Sequence, residues 1–270
     1  FNKGLIYKGY TIQPYSPKAG TGLSSHELNQ PGTYQDVTDT TVTAQFKAIN
    51  TTLPDSIQQG ISVYFLAWTT TPWTLPSNTA LTVSPKIKYA LVSSFNQYTK
   101  KPIHVILAKD LVSKVFLGPF IQVENESMLK LGSKQKSKIP YYLKKTFNGT
   151  ELIGIKYEQL WNEAPLPFEN AENAFRVIGG DFVTTEDGTG VVHIAPAFGE
   201  DDYQVGLREN TGWVQHVTME GKFTEEATDF VGQEVKPKED PTKTDVEIIK
   251  YLAKSRNFSS YLYFIHNIIS

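Results

Sequence analysis

The feature that most constrains this chain is an apolar run that leads directly into a stiff, irregular segment. Residues 61–67 are almost all apolar and rich in β-branched and aromatic side chains, which predicts a buried strand. Residues 68–78 then combine four threonines, two tryptophans and two prolines. Pro72 and Pro76 each fix φ and remove a backbone donor, so we predict a rigid, irregular loop. Rigid loops that leave a strand often carry binding groups, although this composition alone favours an ordinary surface loop.

Short apolar stretches recur along the chain and predict a fold rich in β-structure. The clearest, residues 42–49, alternates apolar and polar side chains as a half-buried strand does. Further strands are predicted at residues 5–7, 10–12, 79–83, 88–92, 103–107, 151–155, 175–178 and 191–194. Helices are predicted at residues 109–117, 200–210 and 244–252, the last with a capping box that begins at Thr244. We therefore predict a β-rich α+β domain with an antiparallel or mixed β-barrel core and peripheral helices.

Composition excludes several classes of protein and site. The 270 residues suffice for one large domain, and a formal net charge of −2 argues against a general DNA-binding protein. The chain has no cysteine, and none of its histidines forms a zinc-type pair, so we expect no metal and no cofactor. No serine-hydrolase, dinucleotide or phosphate-loop motif occurs. No apolar run approaches the roughly 18 residues of a membrane helix, so we expect a soluble, cytoplasmic protein with no membrane partner.

A second unusual stretch occupies residues 188–203. Two glycines make a tight entry, residues 191–194 form a predicted strand, and an Ala-Pro pair ends it. A helix is predicted to begin at Glu200, with three carboxylates in its first turn, where the helix dipole favours negative charge. Because a strand–turn–helix connection folds back on itself, we expect His193 and Asp202 to face one cleft.

One histidine, one or two carboxylates and a threonine-rich loop make up the candidate site. A carboxylate such as Asp202 can pair with a buried ammonium group, while threonine hydroxyls and loop amides can hold a carbonyl oxygen and a water. Such a set can hydrolyse an activated ester without a covalent intermediate. Each residue also fits a structural role, His193 as a hydrogen-bonded strand histidine and Asp202 as a carboxylate at a helix start. Taken singly, the residues leave both interpretations open.

Together the two stretches resemble the signature segments of the editing domain of isoleucyl-tRNA synthetases. Residues 69–78 read Thr-Thr-Thr-Pro-Trp-Thr-Leu-Pro-Ser-Asn, and residues 188–202 read Gly-Thr-Gly-Val-Val-His-Ile-Ala-Pro-Ala-Phe-Gly-Glu-Asp-Asp. The valyl and leucyl enzymes have Thr-Thr-Arg-Pro in the first segment and a different residue at the position of His193, which favours the isoleucyl family. The resemblance spans most of the chain. It implies the editing-domain fold of class I synthetases, the insertion known as connective peptide 1.

The resemblance implies a role for each matching residue. The threonines would hold the aminoacyl carbonyl, the terminal adenosine and the attacking water. Asp202 would bind the substrate ammonium, and His193 would limit the depth of the pocket so that valine fits and isoleucine does not. The residues assigned to the reaction are Thr69, Thr70, Thr71, Asn78, His193 and Asp202. The residues assigned to the pocket walls are Trp68, Thr74, Ala195, Pro196 and Phe198.

The resemblance also implies a function and its partners. The function is post-transfer editing, in which an aminoacyl-tRNA deacylase domain of an isoleucine–tRNA ligase hydrolyses the ester of valyl-tRNA mischarged on the isoleucine tRNA. The partners are the 3′ end of that tRNA, valine as its aminoacyl group, and the catalytic domain of the same polypeptide. The class I nucleotide-binding signatures, His-x-Gly-His and Lys-Met-Ser-Lys-Ser, are missing. This chain is therefore not expected to activate isoleucine by itself.

A lysine-rich stretch at residues 130–145 supports an alternative function. Basic side chains supply most sequence-independent affinity for nucleic acid, so Lys134, Lys136 and Lys138 are candidate tRNA contacts. A non-catalytic module that binds the tRNA 3′ end would use these lysines, although a solvated loop explains them equally well.

The same resemblance divides the chain into three parts. We expect residues 1–35 to be linker strands that join the catalytic domain of the full enzyme, and residues 36–240 to form the editing β-barrel. Residues 241–270 would be a C-terminal helix and an apolar tail that return toward the catalytic domain. The chain lacks an initial methionine and opens within a pattern, so we expect a piece of a longer polypeptide.

Overall fold

A curled, mixed β-sheet forms the centre of the fold in the computed structural model, which describes residues 9–34, 38–57, 60–132, 138–160, 166–167, 169–254 and 266–269. Within these residues the strands are β1 (Tyr15–Ser16), β2 (Thr21–Gly22), β3 (Thr38–Lys47), β4 (Val63–Thr69), β5 (Ala80–Val83), β6 (Lys88–Phe95), β7 (Pro102–Ala108), β8 (Phe120–Gln122), β9 (Ile139–Asn148), β10 (Arg176–Gly179), β11 (Val191–Ile194) and β12 (His266–Ile269).

The strands form two principal sheets. The larger has the order β12-β3-β4-β7-β6-β9-β8 and is antiparallel except at the β4–β7 and β8–β9 pairs. The smaller has the order β10-β5-β11, in which β5 runs parallel to β10 and antiparallel to β11. Strands β1 and β2 form a separate antiparallel pair. The prediction of a β-rich α+β fold is confirmed, with the larger sheet curling as a half-barrel.

Helices in the described part of the chain are short. They are α1 (Ser25–Leu28), α2 (Val112–Val115), α3 (Glu200–Glu209) and α4 (Lys243–Lys254). Turns of 3₁₀ helix lie at Asn50–Thr52, Pro72–Ser77, Lys109–Leu111, Glu126–Met128, Gly149–Glu151, Ala171–Asn173 and Glu225–Phe230. No helix among these residues is both long enough and apolar enough to span a membrane.

The main core lies between the two sheets and α4. Phe65 and Ile106 of the larger sheet, Val177 of the smaller sheet, and Ile248 and Leu252 of α4 are all fully buried in one cluster. Burying each such side chain stabilises the fold by ~1.5–3 kcal/mol. The two sheets and the C-terminal helix therefore fold as one unit.

The opposite face of the larger sheet is also covered. Leu66, Val92 and Leu107 form a second buried cluster with Phe116, which follows α2. Strand β3 was expected to be half-buried from its alternating pattern, but even Gln45 is only 1% exposed. That expectation is wrong because structure covers both faces of the sheet, which a period-two pattern does not report.

Two predicted strands are absent from the places where they were expected. Residues 151–155 form the end of a 3₁₀ helix and a following turn, because Asn148 and Glu151 make a capping box and Gly154 adopts a positive φ of 92°. Residues 10–12 are irregular, and the chain pairs instead at β1 and β2. The predicted strand at residues 5–7 lies outside the described residues.

The C-terminal helix begins differently from the prediction. It starts at Lys243, and the Thr244 hydroxyl donates to the Glu234 carbonyl at 2.7 Å instead of capping the helix. The capping-box assignment is therefore wrong, although the helix itself is present. In the apolar tail, β12 adds to the edge of the larger sheet beside β3. The rest of that tail lies outside the described residues.

Candidate active site

The threonine turn, residues 69–78, leaves β4 and closes at once into a 3₁₀ helix from Pro72 to Ser77. Pro72 occupies the first helical position, where a missing backbone donor costs nothing. The Thr74 amide donates to the Thr71 carbonyl at 3.0 Å, and the Asn78 amide donates to Leu75 at 3.1 Å. The loop was expected to be irregular, but it contains this regular 3₁₀ turn.

The second motif, residues 188–203, folds back over the end of β4. Gly190 has a φ of +70° and lies so close to Ala108 that a β-carbon would collide with it. Strand β11 then leads through a turn into α3, whose first turn contains Asp202. Asp202 Oδ2 accepts a hydrogen bond from the Ala195 amide at 3.0 Å. This contact holds the carboxylate of α3 against the end of β11.

The two motifs enclose a cavity of about 290 Å³. Both His193 and Asp202 line it, as the strand–turn–helix argument predicted. The other lining residues from the predicted set are Trp68, Thr69, Thr70, Thr71, Thr74, Ala195 and Phe198.

The structure differs from the predicted set at three residues. Asn78 is buried behind His193 and does not line the cavity. Pro196 lines a different cavity, beside Tyr203 and Trp213. Val192 also lines the cavity and was not predicted. Neighbouring residues of a strand point to opposite faces, so a cavity at His193 is not expected to include Val192 as well.

His193 is locked in place by hydrogen bonds at both ring nitrogens. The Asn78 amide is oriented by the Tyr157 hydroxyl, which donates to Oδ1 at 2.6 Å, so its Nδ2 donates to His193 Nδ1 at 3.2 Å. The proton of the neutral ring is therefore on Nε2, which donates to the Thr74 hydroxyl at 2.9 Å. Burial lowers the pKa of His193 to about 4. The ring is neutral at physiological pH, and neither nitrogen is available to take a proton from a ligand.

The hydroxyls of the threonine turn form a directed chain. The Thr74 hydroxyl donates to the Thr71 carbonyl at 2.8 Å, so at the 3.3 Å contact between their hydroxyls Thr71 is the donor. Thr69 is then the donor to the Thr71 hydroxyl at 3.2 Å. Thr70, at the exposed mouth, makes no hydrogen bond from its hydroxyl within the described chain. Of these four hydroxyls, that of Thr70 keeps its proton free for a ligand.

Asp202 is the charged group of the cavity. Burial raises its pKa to about 6, against the Ala195 hydrogen bond, which lowers it, and with a smaller upward contribution from Asp201. No cation in the described chain pairs with it. A partly buried carboxylate of this kind is stabilised by a cation from outside.

The lysine-rich stretch contributes little to this cavity. Lys134 and Lys136 lie outside the described residues, and Lys138 is exposed just before β9. Lys144 pairs with Glu126, and Lys145 lies 5.3 Å from the centre of the Phe147 ring. Within the described ranges, no group of three or more His, Asp or Glu side chains could hold a metal ion.

Comparison with known proteins identifies close relatives. The chain is 52% identical over 245 residues to the isoleucine–tRNA ligase of Cytophaga hutchinsonii, a match that covers 87% of this chain and 21% of that protein. It is 55% identical over 224 residues to the isoleucine–tRNA ligase of Bacteroides fragilis, covering 83% of this chain and 19% of the relative. The corresponding ligase of Clostridium kluyveri is 40% identical over 252 residues, with coverage of 93% and 20%.

Comparison with solved structures gives a more distant match, and comparison with protein-family models gives none. The crystal structure of GlLeuRS-CP1 superposes with a TM-score of 0.48 at 14% identity, covering 83% of this chain and 99% of that one. At that distance the likeness establishes neither fold nor function.

The sequence relatives place the chain among the aminoacyl-tRNA synthetases. Within that class it belongs to the isoleucine–tRNA ligase family, as residues 69–78 and His193 had indicated. The chain spans about a fifth of the length of the curated relatives that it matches.

Proposed function

We propose that this chain is the editing domain of an isoleucine–tRNA ligase and hydrolyses the ester of valyl-tRNA mischarged on the isoleucine tRNA. The observation that carries the proposal is the arrangement of one cavity. An unpaired carboxylate, Asp202, lines it together with a wall of threonine hydroxyls and a fully hydrogen-bonded histidine, His193. Membership of the ligase family supplies the substrate class, an amino acid esterified to tRNA.

Asp202 binds the α-ammonium of the aminoacyl group. Every aminoacyl ester carries this ammonium, and the cavity offers it a carboxylate that has no internal cation. Charge-assisted hydrogen bonds of this kind are about twice as strong as neutral ones, and they strengthen when water is excluded. The ammonium therefore fixes the substrate at one end of the cavity.

His193 sets the depth of the pocket. Because both of its ring nitrogens are hydrogen-bonded, the ring cannot rotate aside to admit a longer side chain. Valine and isoleucine differ by one methylene, which is worth only ~1–3 kcal/mol to a hydrophobic pocket, a limit for which isoleucine–tRNA ligases are themselves the standard example. A second site that hydrolyses only what fits it multiplies the discrimination of the first.

Hydrolysis proceeds by direct attack of a positioned water on the ester at the 3′-terminal ribose. His193 is excluded as a general base because its nitrogens are engaged and its pKa is lowered to about 4. The Thr70 hydroxyl donates to the ester carbonyl or orients the water. The bond from the carbonyl carbon to the 3′ oxygen breaks, and the neighbouring ribose hydroxyl relays the proton of the water to that leaving oxygen. An aminoacyl ester is already activated, so orientation and charge stabilisation suffice.

The partners follow from this reaction. They are the 3′ end of the isoleucine tRNA and, in the full-length ligase, a catalytic domain that makes the ester. The setting is the cytoplasm, where tRNA is charged.

The test is incubation of the protein with valyl-tRNA and isoleucyl-tRNA, both on the isoleucine tRNA, followed by measurement of the free amino acid. We expect valine to be released well above the uncatalysed rate and isoleucine to be retained. Equal release of both, or release of neither despite binding, would overturn the proposal. Binding without release would instead support a non-catalytic module that holds the tRNA 3′ end.

A further inference from the structure

The back of the threonine turn is held by residues far away in the sequence. The Trp73 amide donates to Asp245 Oδ1 of α4 at 2.9 Å. The Trp73 carbonyl accepts from His216 Nε2 at 3.0 Å. Both partner side chains are fully buried. Trp73 lies between Thr71 and Thr74, so its peptide groups set the position of the threonine wall.

Asp245 is itself anchored by a lysine. Its Oδ2 accepts from Lys236 Nζ at 2.7 Å, and the same ammonium donates to both carboxylate oxygens of Asp39 at 2.8 Å. Hydrogen bonds to Asp245 and Asp39 raise the pKa of Lys236 despite burial, which lowers it. The carboxylate that accepts from Trp73 is thus paired with a cation inside the protein, which it shares with Asp39.

A row of aromatic rings connects the same elements. Trp73 and Phe198 meet edge to face at 5.0 Å, and Phe198, which lines the cavity, meets His216 at 5.2 Å. The row continues to α4, with centroid separations below 6 Å at each step, through Phe223, Phe230 and Tyr251. The C-terminal helix is therefore connected to the cavity wall in two ways, through the Asp245–Trp73 hydrogen bond and through the aromatic row that ends at Phe198.

We propose that Asp245 and His216 are positioning residues for the site, which clamp the two peptide groups of Trp73 and so fix the threonine wall against His193. This inference rests on the proposed function for its kinetic test, because kcat is measured as deacylation. The effect of the two side chains on the threonine turn can be measured without that reaction. It assigns a role in the site to Asp245 of α4, which lies 43 residues beyond Asp202 in the chain. Asp245 and His216 act through Trp73 and do not line the cavity.

The experiment compares three variants of the 270-residue chain. Asp245→Leu keeps a side chain branched at Cγ but removes the acceptor. Asp245→Asn keeps an acceptor for the Trp73 amide, and Asp39→Asn alters the same ion cluster without touching Trp73. The thermal midpoint of each is measured first, and valyl-tRNA deacylation is then assayed well below it. We expect Asp245→Leu to lower kcat at least tenfold with little change in KM. Asp245→Asn should recover most of the rate, and Asp39→Asn should match the parent.

Hydrogen exchange separates the clamp from the proposed reaction. In Asp245→Leu, peptides that cover residues 69–78 should exchange faster than in the parent, whereas in Asp39→Asn they should not. Unchanged exchange in Asp245→Leu, or equal effects of Asp245→Leu and Asp39→Asn, would overturn the clamp. Loss of exchange protection in a protein whose parent shows no deacylation would retain the clamp and reject the proposed function.

The carbonyl side of the clamp provides a second test if Asp245→Leu does not fold. His216→Gln keeps an N–H donor within reach of the Trp73 carbonyl, and His216→Leu removes it. Faster exchange and a lower kcat in His216→Leu than in His216→Gln would support the clamp, and equal behaviour of the two variants would contradict it.

Discussion

Two aspartates lie on opposite sides of the threonine turn and differ in whether a cation of the protein pairs with them. Burial raises the pKa of both Asp202 and Asp245 to about 6. Asp245, on the core side, has the Lys236 ammonium at 2.7 Å. Asp202, on the cavity side, has a backbone amide and no cation within the described chain. The fold therefore supplies a cation to Asp245 and, among the described residues, none to Asp202.

The presence or absence of a paired cation suits Asp245 and Asp202 to different roles. A partly buried charge with no internal cation destabilises a fold, so the position of Asp202 at the cavity supports the binding role proposed for it. A compensated charge can serve as a fixed acceptor, as Asp245 does for Trp73. The threonine turn therefore has hydrogen-bond partners on its core side and, across the cavity, a carboxylate with no cation among the described residues.

The largest expected effect is at Asp202. Asp202→Ala removes the group that pairs with the substrate ammonium, and loss of one partner of a buried charged pair typically costs ~2–5 kcal/mol. We expect kcat/KM for valyl-tRNA to fall about 100-fold or more, measured as initial rates of valine release. Deacylation at the parent rate would show that Asp202 does not bind the substrate.

His193→Ala should deepen the pocket and admit isoleucine. Accommodating the extra methylene of isoleucine is worth ~1–3 kcal/mol, so release of isoleucine from its cognate tRNA should rise about 30-fold. Val192→Ala is the matched control, since it also enlarges the cavity but leaves the His193 ring in place. Continued protection of isoleucyl-tRNA in the His193 variant would refute the role of His193 in limiting depth.

The rate should depend on pH through Asp202. The ammonium binds the ionised carboxylate, so activity is present above the pKa of about 6 and is lost as pH falls through it. After subtraction of the uncatalysed rate, kcat/KM should drop about tenfold for each pH unit below 6. A profile flat from pH 5 to 7 would be inconsistent with ion pairing at Asp202.

Thr70 should matter less, because one neutral hydrogen bond is involved. Thr70→Val keeps the shape of the side chain and removes its hydroxyl. Of the four threonine hydroxyls at the cavity, this is the one whose proton is not used in a hydrogen bond within the described residues. A net contribution of ~0.5–1.5 kcal/mol predicts a decrease in kcat of about 3- to 10-fold. Thr70→Ser should retain the parent rate, and similar losses in both variants would place the effect in packing instead.

The smallest effect is on stability. Because the folded-state pKa of Asp202 is raised, folding stability is lost as pH rises between the unfolded and folded values and stays reduced at pH 7. Asp202→Asn removes this charge and keeps an acceptor for the Ala195 amide. We expect the free energy of unfolding at pH 7 to increase by about 1 kcal/mol, measured by urea denaturation, with no gain at pH 4. A loss of stability at pH 7 would contradict the account.

Local sequence patterns predicted the positions of the main strands. They failed where local turn chemistry, or contacts with distant parts of the chain, determine the structure. Alternation located β3, and apolar runs located β4 and β7. The strand predicted at residues 151–155 was wrong because a capping box and a positive φ at Gly154 outweigh an apolar pattern. The burial of Gln45 depends on a second core layer, which no local pattern reveals.

At the candidate site, too, residues within the two motifs could be predicted from the sequence, whereas the long-range contacts that hold them could not. The resemblance identified the residues of the two motifs, and the structure brings most of them to one cavity. Asn78 was expected at the reaction, but it orients His193 from behind. The contacts of Trp73 with Asp245 and His216 join residues 172 and 143 positions apart. Such pairings depend on tertiary packing, so neither partner carries a local signal.

The most direct measurement is the pKa of Asp202 with and without a substrate mimic. An adenosine that bears valine at its 3′ position through a stable amide presents the ammonium but cannot be hydrolysed. By NMR titration of the Asp202 carboxyl carbon, we expect a pKa of about 6 in the free protein and a clear decrease when the mimic binds. An N-acetylated mimic, which lacks the ammonium, should bind weakly and leave the pKa unchanged. If the valyl mimic binds and the pKa of Asp202 stays at its free value, the ammonium is bound elsewhere and the central claim is wrong.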